Sequence, residues 1–235
     1  MSEKIIVIGS SGAIGRSFVD FYKKQNPSNL IYFLARKNTE LDDQISIDIE
    51  NEKSISEAAE LCSKKGPFDK IVVCTGLLHS ENIKPEKSLR DLNRDSLLKI
   101  LSVNTIGPAL IGKYFIPLLK KDKPSILSFL SARVGSISDN RIGGWYSYRA
   151  SKAALNMIIK SLSIEVARNN KNAMIVGLHP GTVDSNLSKP FQGNVSSDKL
   201  FTPEYSVSKM VEVMNNLSPD NSGNCFAWDG KRIEF

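Results

Sequence analysis

The sequence is short of several features that would direct its reading elsewhere. It has three cysteines, Cys62, Cys74 and Cys225, far apart and with no C-x-x-C pair. That pattern supports neither a disulfide framework nor a zinc site, and it points to reduced thiols and a cytoplasmic location. The two histidines, His79 and His179, lack paired ligand spacing, so no metal is expected. There is no G-x-S-x-G elbow, which removes the usual hydrolase nucleophile. No run of about 18 apolar residues occurs, so no membrane span is expected. Met1-Ser2-Glu3-Lys4 passes directly into an apolar run, without the long hydrophobic stretch and small-residue cleavage site of a signal peptide. No internal repeat, low-complexity tract or linker divides the chain.

What is present fits one domain over residues 1–235. With 235 residues and 41% hydrophobic content, the chain can bury a core that needs no cross-link. The formal net charge of +6 raises the question of nucleic acid. The pairs Lys23-Lys24, Lys64-Lys65 and Lys120-Lys121, however, each close an apolar-periodic stretch, where cations complement the negative end of a helix. No basic stripe is interleaved with aromatics, so neither nucleic acid nor membrane is an expected partner.

Short β-branched runs alternate with amphipathic stretches throughout, the pattern of a parallel sheet with crossover helices. Strands are predicted at Lys4–Ile8, Leu30–Leu34, Gln44–Ile47, Lys70–Cys74, Ser125–Leu130, Ala173–Leu178 and Asn224–Trp228. Most are continuously apolar, as strands covered on both faces should be. Ile14, Phe18 and Tyr22 mark a first helix. A long helical stretch spans residues 96–120, bent at Gly107-Pro108, and another runs from Trp145 to Arg168. Thr202-Pro203-Glu204 reads as a cap, a proline in the first turn and an acid, opening a helix to about Leu217. The fold class implied is α/β: a single-domain, Rossmann-type, doubly wound parallel sheet of about seven strands with helices on both faces. Residues 182–201 are polar and without period, and their place after the sixth strand puts them beside the ligand crevice as a substrate-binding loop.

The first strand runs into Gly9-Ser10-Ser11-Gly12-Ala13-Ile14-Gly15, a G-x-x-G-x-x-G turn that opens a helix. Glycines permit a tight turn, and the helix start offers N–H groups and a positive dipole end to a pyrophosphate. The second strand ends Leu34-Ala35-Arg36-Lys37, without the acid that would grip an NAD ribose. A base there suits the 2′-phosphate of NADP, so Arg36 points to NADP(H), with NAD(H) as the alternative.

Trp145-Tyr146-Ser147-Tyr148-Arg149-Ala150-Ser151-Lys152 carries the sharpest chemistry. Tyr148 and Lys152 are one helical turn apart and share a face, where an ammonium would lower the phenol pKa and tune it for proton exchange with an alcohol or carbonyl. Tyr-x-x-x-Lys inside this stretch, with the N-terminal glycine turn, resembles the short-chain dehydrogenase/reductase family over essentially the whole chain.

Other motifs then fall in that family's order. Cys74-Thr75-Gly76 resembles its Asn-Ala-Gly after the fourth strand, Asn104 its helix asparagine, which holds a relay water, and Ser131 its substrate-orienting serine. His179-Pro180-Gly181-Thr182-Val183 resembles the turn over the nicotinamide, and Asp48 the acid at the adenine edge. Ser131 lies 17 residues before Tyr148, longer than the family's usual separation, which leaves Ser128 and Ser136 as fallbacks. Residues 134–140, Gly143-Gly144-Trp145-Tyr146 and Phe226-Ala227-Trp228-Asp229-Gly230 are similar to the branch containing C-factor and the sniffer-type carbonyl reductases. The glycine turn also resembles that of dihydropteridine reductase.

The resemblance implies an oxidoreductase that moves a hydride between NADP(H) and a carbonyl or alcohol. Tyr148 would be the acid/base, with Lys152, Ser131 and Asn104 as its partners. The cofactor would be held by Gly9, Ser11, Gly12, Ile14, Gly15, Arg36, Asp48, Thr75, Gly76, Tyr148, Lys152 and Pro180 to Val183. A homo-oligomer, dimer or tetramer, is also implied. The alternative is a dinucleotide-sensing or C-factor-like signalling protein on the same fold.

Overall fold

The computed structural model describes residues 2–36 and 44–235. Ten strands and six α-helices follow the predicted alternation: β1 (Lys4–Ile8), α1 (Ala13–Gln25), β2 (Leu30–Ala35), β3 (Gln44–Ser46), α2 (Glu52–Ser63), β4 (Lys70–Val73), α3 (Arg94–Leu101), α4 (Gly107–Phe115), β5 (Ser125–Leu130), α5 (Tyr146–Val166), β6 (Ala173–His179), β7 (Thr182–Val183), β8 (Leu200–Phe201), α6 (Pro203–Asn215), β9 (Cys225–Ala227) and β10 (Arg232–Ile233). Eight strands form one sheet in the order β10-β9-β6-β5-β4-β1-β2-β3. All neighbours in it are parallel except the β9–β10 hairpin. The sequence pattern implied about seven strands. The eighth, Arg232–Ile233, is too short to show a period and is defined by its pairing with Phe226 and Cys225.

The sheet is apolar on both faces because each face carries helices. Ile6 and Ile8 point to the side of α2, α4 and α5, where they meet Ile55, Phe115, Leu155 and Ile159. Ile5 and Val7, one residue out of phase, point to α1 and α6 and pack with Phe18, Tyr22, Val207 and Met210. Burying each such side chain contributes roughly 1.5–3 kcal/mol, and β5, between the two layers, is buried at every residue.

The chain winds outward from β1 in one direction and from β4 in the other. The carboxyl ends of β1 and β4 therefore flank the point where the strand order reverses, where α/β sheets form a ligand crevice.

The helix before β5 is interrupted, but not where the sequence suggested. Ser102–Ile106 is a π turn between α3 and α4, with the Gly107 N–H donating to Ser102 O, and Pro108 sits in the first turn of α4. Gly107 is needed for a different reason: a Cβ there would press on Ile49 O at 2.7 Å. Lys120 also departs from expectation. It does not finish a helix; it pairs with the buried Asp69 at 2.7 Å, as Lys123 does at 2.9 Å. No helix among the described residues is long and apolar enough to cross a membrane.

Candidate active site

At the carboxyl end of β1 the chain turns at Gly9, whose φ of +84° is the left-handed region that favours glycine. Its N–H and that of Ser10 both donate to Leu34 O, at 2.8 and 3.2 Å, which ties the turn to β2. A Cβ at Gly9 would stand 3.1 Å from Thr75 Cγ2, and one at Gly15 would collide with the Gly9 carbonyl oxygen. The turn is thus packed between β4 and α1, with no room for a side chain at Gly15 and little at Gly9. Gly12 caps α1 without a side-chain acceptor, and no acid lies in the first turn. By contrast, α2, α3 and α6 are each capped by a side chain and carry an acid in the first turn. The N–H groups at the start of α1, around Ala13 to Gly15, thus have no side-chain acceptor and are available to an anion.

Beside this opening, Thr75 Oγ1 is buried with no hydrogen-bond partner among the described residues. An uncapped helix start, a glycine turn tight at Gly9 and Gly15 and an orphaned hydroxyl together fit the phosphates and ribose of a dinucleotide. Arg36 is exposed just beyond β2, while Lys37 and the residues to 43 lie outside the described part. Asp48 Oδ1 accepts from the Glu50 N–H at 3.0 Å, and its own N–H donates to Ser54 Oγ at 2.9 Å, so this acid braces the turn into α2.

Across the crevice, α5 presents Tyr148 and Lys152. The Lys152 Nζ donates to Leu130 O, at the end of β5, at 2.8 Å, and stands 5.7 Å from the centre of the Tyr148 ring. A Cβ at Gly76 would lie 3.8 Å from Lys152 Nζ and equally far from Asn104 Oδ1, so β4, the π turn and α5 converge on one spot. Asn104 is fully buried. Its Oδ1 accepts from Leu77 N at 2.7 Å, while Nδ2 donates to Leu77 O at 2.8 Å and Ser151 Oγ at 3.0 Å. Ser151 in turn donates to Tyr148 O at 2.8 Å. Ser131 Oγ, also buried, donates to Asn156 Oδ1 at 2.7 Å.

The two fallback serines are placed differently from Ser131. Ser128 falls on the strand face opposite Phe129, away from α5, and Ser136 accepts from Asp139 N within its own turn.

The electrostatics differ from the sequence-based expectation. Burial pushes the Tyr148 phenol up to about 12 and holds the Lys152 ammonium down to about 8. Burial outweighs the ammonium, which donates to the Leu130 carbonyl and stands 5.7 Å from the ring centre. At neutral pH Tyr148 is consequently a phenol with a proton to give, and Lys152 is largely charged. His179, at the end of β6, is held down to about 4 by burial and by the nearby Arg133, and its Nδ1 has no partner.

The segment after β6 is ordered by its own ends. Thr182–Val183 pairs in parallel with Leu200–Phe201, and Gly181, at φ +77°, leaves space that Phe201 and Trp228 fill. Ser206 Oγ holds Pro180 O at 2.7 Å. Within the loop, Phe191 packs on Trp145 with ring centres 5.1 Å apart, and Trp145 packs edge-on to Tyr148 at 6.2 Å. His79 Nε2 meets Asn186 O at 3.0 Å from the other side. A recess of about 500 Å³ lined by Asn26, Lys70, Lys123 and Asn215 lies at the opposite ends of the strands and holds none of these groups.

Two residues that matter here escaped the sequence reading. Glu86, only 2% exposed, accepts with its carboxylate from the Ser147 N–H at 3.2 Å and from the Ser147 hydroxyl, and with its carbonyl from the Trp145 N–H. It fastens the start of α5 across 61 residues of sequence, and no local pattern announces it. Asn156 had a signal: it repeats the spacing from Tyr148 to Lys152 once more along α5.

The model of the short chain dehydrogenase family matches residues 3–195. An uncharacterized oxidoreductase of Schizosaccharomyces pombe is 31% identical over 202 residues, covering 81% of this chain and 77% of that protein. The C-signal protein of Myxococcus xanthus is 30% identical over 148 residues, covering 63% of this chain and 84% of its own length. Among solved structures, an NADPH-bound carbonyl reductase from chicken fatty liver superposes with a TM-score of 0.85 at 21% identity, over 100% of this chain and 94% of that one. The glycine turn, the Tyr148–Lys152 pair and these likenesses agree: the chain belongs to the short chain dehydrogenase family of oxidoreductases.

Proposed function

We propose that the chain is an NADP(H)-dependent carbonyl reductase or alcohol dehydrogenase with Tyr148 as its proton donor. The observation that carries this reading is the convergence of Lys152 and Asn104 at Gly76, with the Tyr148 ring 5.7 Å from the Lys152 ammonium, beside the uncapped start of α1. A nicotinamide dinucleotide bound there supplies the hydride. Gly9, Ser11, Gly12, Ile14 and Gly15 would hold its phosphates, Arg36 a 2′-phosphate, and Asp48 the adenine edge. Thr75 and Gly76, with Pro180, Gly181, Thr182 and Val183, would border its other half.

The rest of the chemistry belongs to side chains. Ser131 would hydrogen-bond the substrate oxygen, and Tyr148, a neutral phenol at physiological pH, would give that oxygen its proton. Lys152, with its ammonium at the end of β5, would bind the ribose hydroxyls. Asn104 couples the loop after β4 to α5 through Leu77 and Ser151, and its segment would keep a relay water for reprotonation. Trp145 and Phe191 give the pocket an aromatic wall that suits a partly apolar carbonyl. Exposed Ile106, Met157 and Ile164 support a homo-oligomer, which light scattering at a multiple of the 26.0 kDa chain would bear out and a monomer mass would contradict.

The reading is tested by a panel of aldehydes, ketones and quinones with NADPH or NADH, followed at the nicotinamide absorbance. Turnover with NADPH is expected, and Arg36→Ala should weaken NADPH alone by about 1.5–3 kcal/mol, as loss of a charge-assisted contact does. A chain that binds dinucleotide yet turns over nothing would leave the sensing or signalling role, for which the likeness to C-signal speaks.

A further inference from the structure

Behind Ser131 lies a closed polar arrangement whose donors and acceptors do not balance. Ser131 is 3% exposed and Asn156 2%. The serine has one proton, and it goes to Asn156 Oδ1 at 2.7 Å. The two N–H groups on Asn156 Nδ2 have no acceptor among the described residues. The other polar neighbour of Ser131 is Cys225, a fully buried thiol on β9, which burial pushes up to about 12 and so keeps uncharged. In this arrangement the proton that Ser131 would offer to a substrate oxygen is already spent, while two better donors beside it stay idle. A buried N–H without an acceptor is among the costlier defects of a folded chain, more so than an amide oxygen with an empty lone pair.

Half a turn about the Cβ–Cγ bond of Asn156 reverses this. Nδ2 then faces Ser131 Oγ and donates to it, and the Ser131 proton is free to be donated elsewhere. The amide is a group that can fill either role, since its two ends have the same shape and opposite hydrogen-bonding character. We propose that Asn156 is a positioning residue that sets the polarity of Ser131: in the working site its amide donates to Ser131 Oγ, so that the serine O–H donates to the substrate carbonyl. The inference rests on the reading of Ser131 as the substrate-binding hydroxyl. Tyr148, Lys152 and Asn156 then recur at one-turn intervals along α5, giving in order the proton, the ammonium and the orientation of the serine.

Three variants separate the possibilities, each measured for kcat, for carbonyl KM and for NADPH affinity. Asn156→Asp keeps the shape but, ionised, can only accept, so it captures the serine proton. Its kcat should fall about 10–100-fold at pH 8, approaching the loss in Ser131→Ala, and recover as pH drops and the carboxyl gains a proton to donate. The unmodified enzyme should show no such recovery. Asn156→Leu removes both roles and leaves the serine unconstrained, so its kcat should fall only roughly three- to tenfold, with NADPH affinity unchanged. The ordering of Asp below Leu, with rescue in acid, is what a packing role would not produce.

A pH profile for Asn156→Asp parallel to that of the unmodified enzyme overturns the proposal. Should the Asp variant not fold, Asn156→Leu decides alone: kcat equal to that of the unmodified enzyme, or as low as that of Ser131→Ala, overturns it. If Ser131→Ala itself keeps normal turnover, it is the reading of Ser131 that fails.

Discussion

The two helices that frame the site, α1 and α5, begin in opposite ways. The start of α1 is left open: Gly12 offers no side-chain cap and no acid lies in the first turn. The start of α5 is closed by another part of the chain, because the buried Glu86 carboxylate takes the Ser147 N–H and hydroxyl. An anionic ligand can supply the acceptors that α1 lacks, whereas at α5 the acceptor is built in and the helix is fixed before anything binds. One end is shaped to receive charge and the other to hold Tyr148 and Lys152 at a set angle. A dinucleotide enzyme needs both, since binding energy at the first is useful only if the reacting groups at the second are already in place.

The largest way to break this contrast is at α1. Gly15→Ala places a Cβ against the Gly9 carbonyl oxygen and 2.9 Å from Ser10 Cα, so the turn must move. NADPH affinity should fall about 100-fold, equivalent to about 3 kcal/mol of overpacking, in a fluorescence titration. An unchanged affinity would mean that the turn does not hold the cofactor.

At α5 the corresponding change is Glu86→Ala, which strips the acceptors from Ser147. It should cost about 2 kcal/mol of stability in a denaturant titration, the scale of a charge-assisted buried bond, and lower turnover with it. A stability equal to that of the unmodified chain would show that the clamp contributes nothing.

A smaller effect sharpens the account of Lys152. Burial holds its pKa below the ordinary lysine value, at about 8, so the ammonium is present below that pH and lost above it. If that charge helps hold the cofactor, NADPH affinity should weaken above pH 8, by about tenfold at pH 9 if the charge is essential. A flat response between pH 7 and 9 would remove Lys152 from cofactor binding.

How much of this was legible beforehand follows the same division. The strands were readable because both faces are buried and the runs are apolar throughout, and Tyr148 and Lys152 because a single helical turn relates them. The glycine turn was readable from its place between a strand and a helix. Contacts that join distant segments were not readable: Glu86 with Ser147, Lys120 with Asp69, and the β7–β8 pair that closes the substrate loop on itself. None leaves a period in the sequence, and two-residue strands exist only through their partners. The π turn was misplaced onto Gly107-Pro108 for a related reason, since Asn104 and Thr105 bond to Leu77 and Ser151 in other elements. The direction of the Tyr148 shift was missed because spacing shows that Lys152 is near but not how deeply the phenol is buried.

The central claim, that Tyr148 donates the proton, is tested most directly by single-turnover oxidation of bound NADPH by a carbonyl identified from the panel, in Tyr148→Phe. Removing one hydroxyl while keeping the ring should slow that step roughly 10²–10⁴-fold and leave NADPH affinity unchanged. Tyr146→Phe, at a position 39% exposed on the same helix, should leave the rate unaltered. A Tyr148→Phe chain that oxidises NADPH at the rate of the unmodified enzyme would contradict the account.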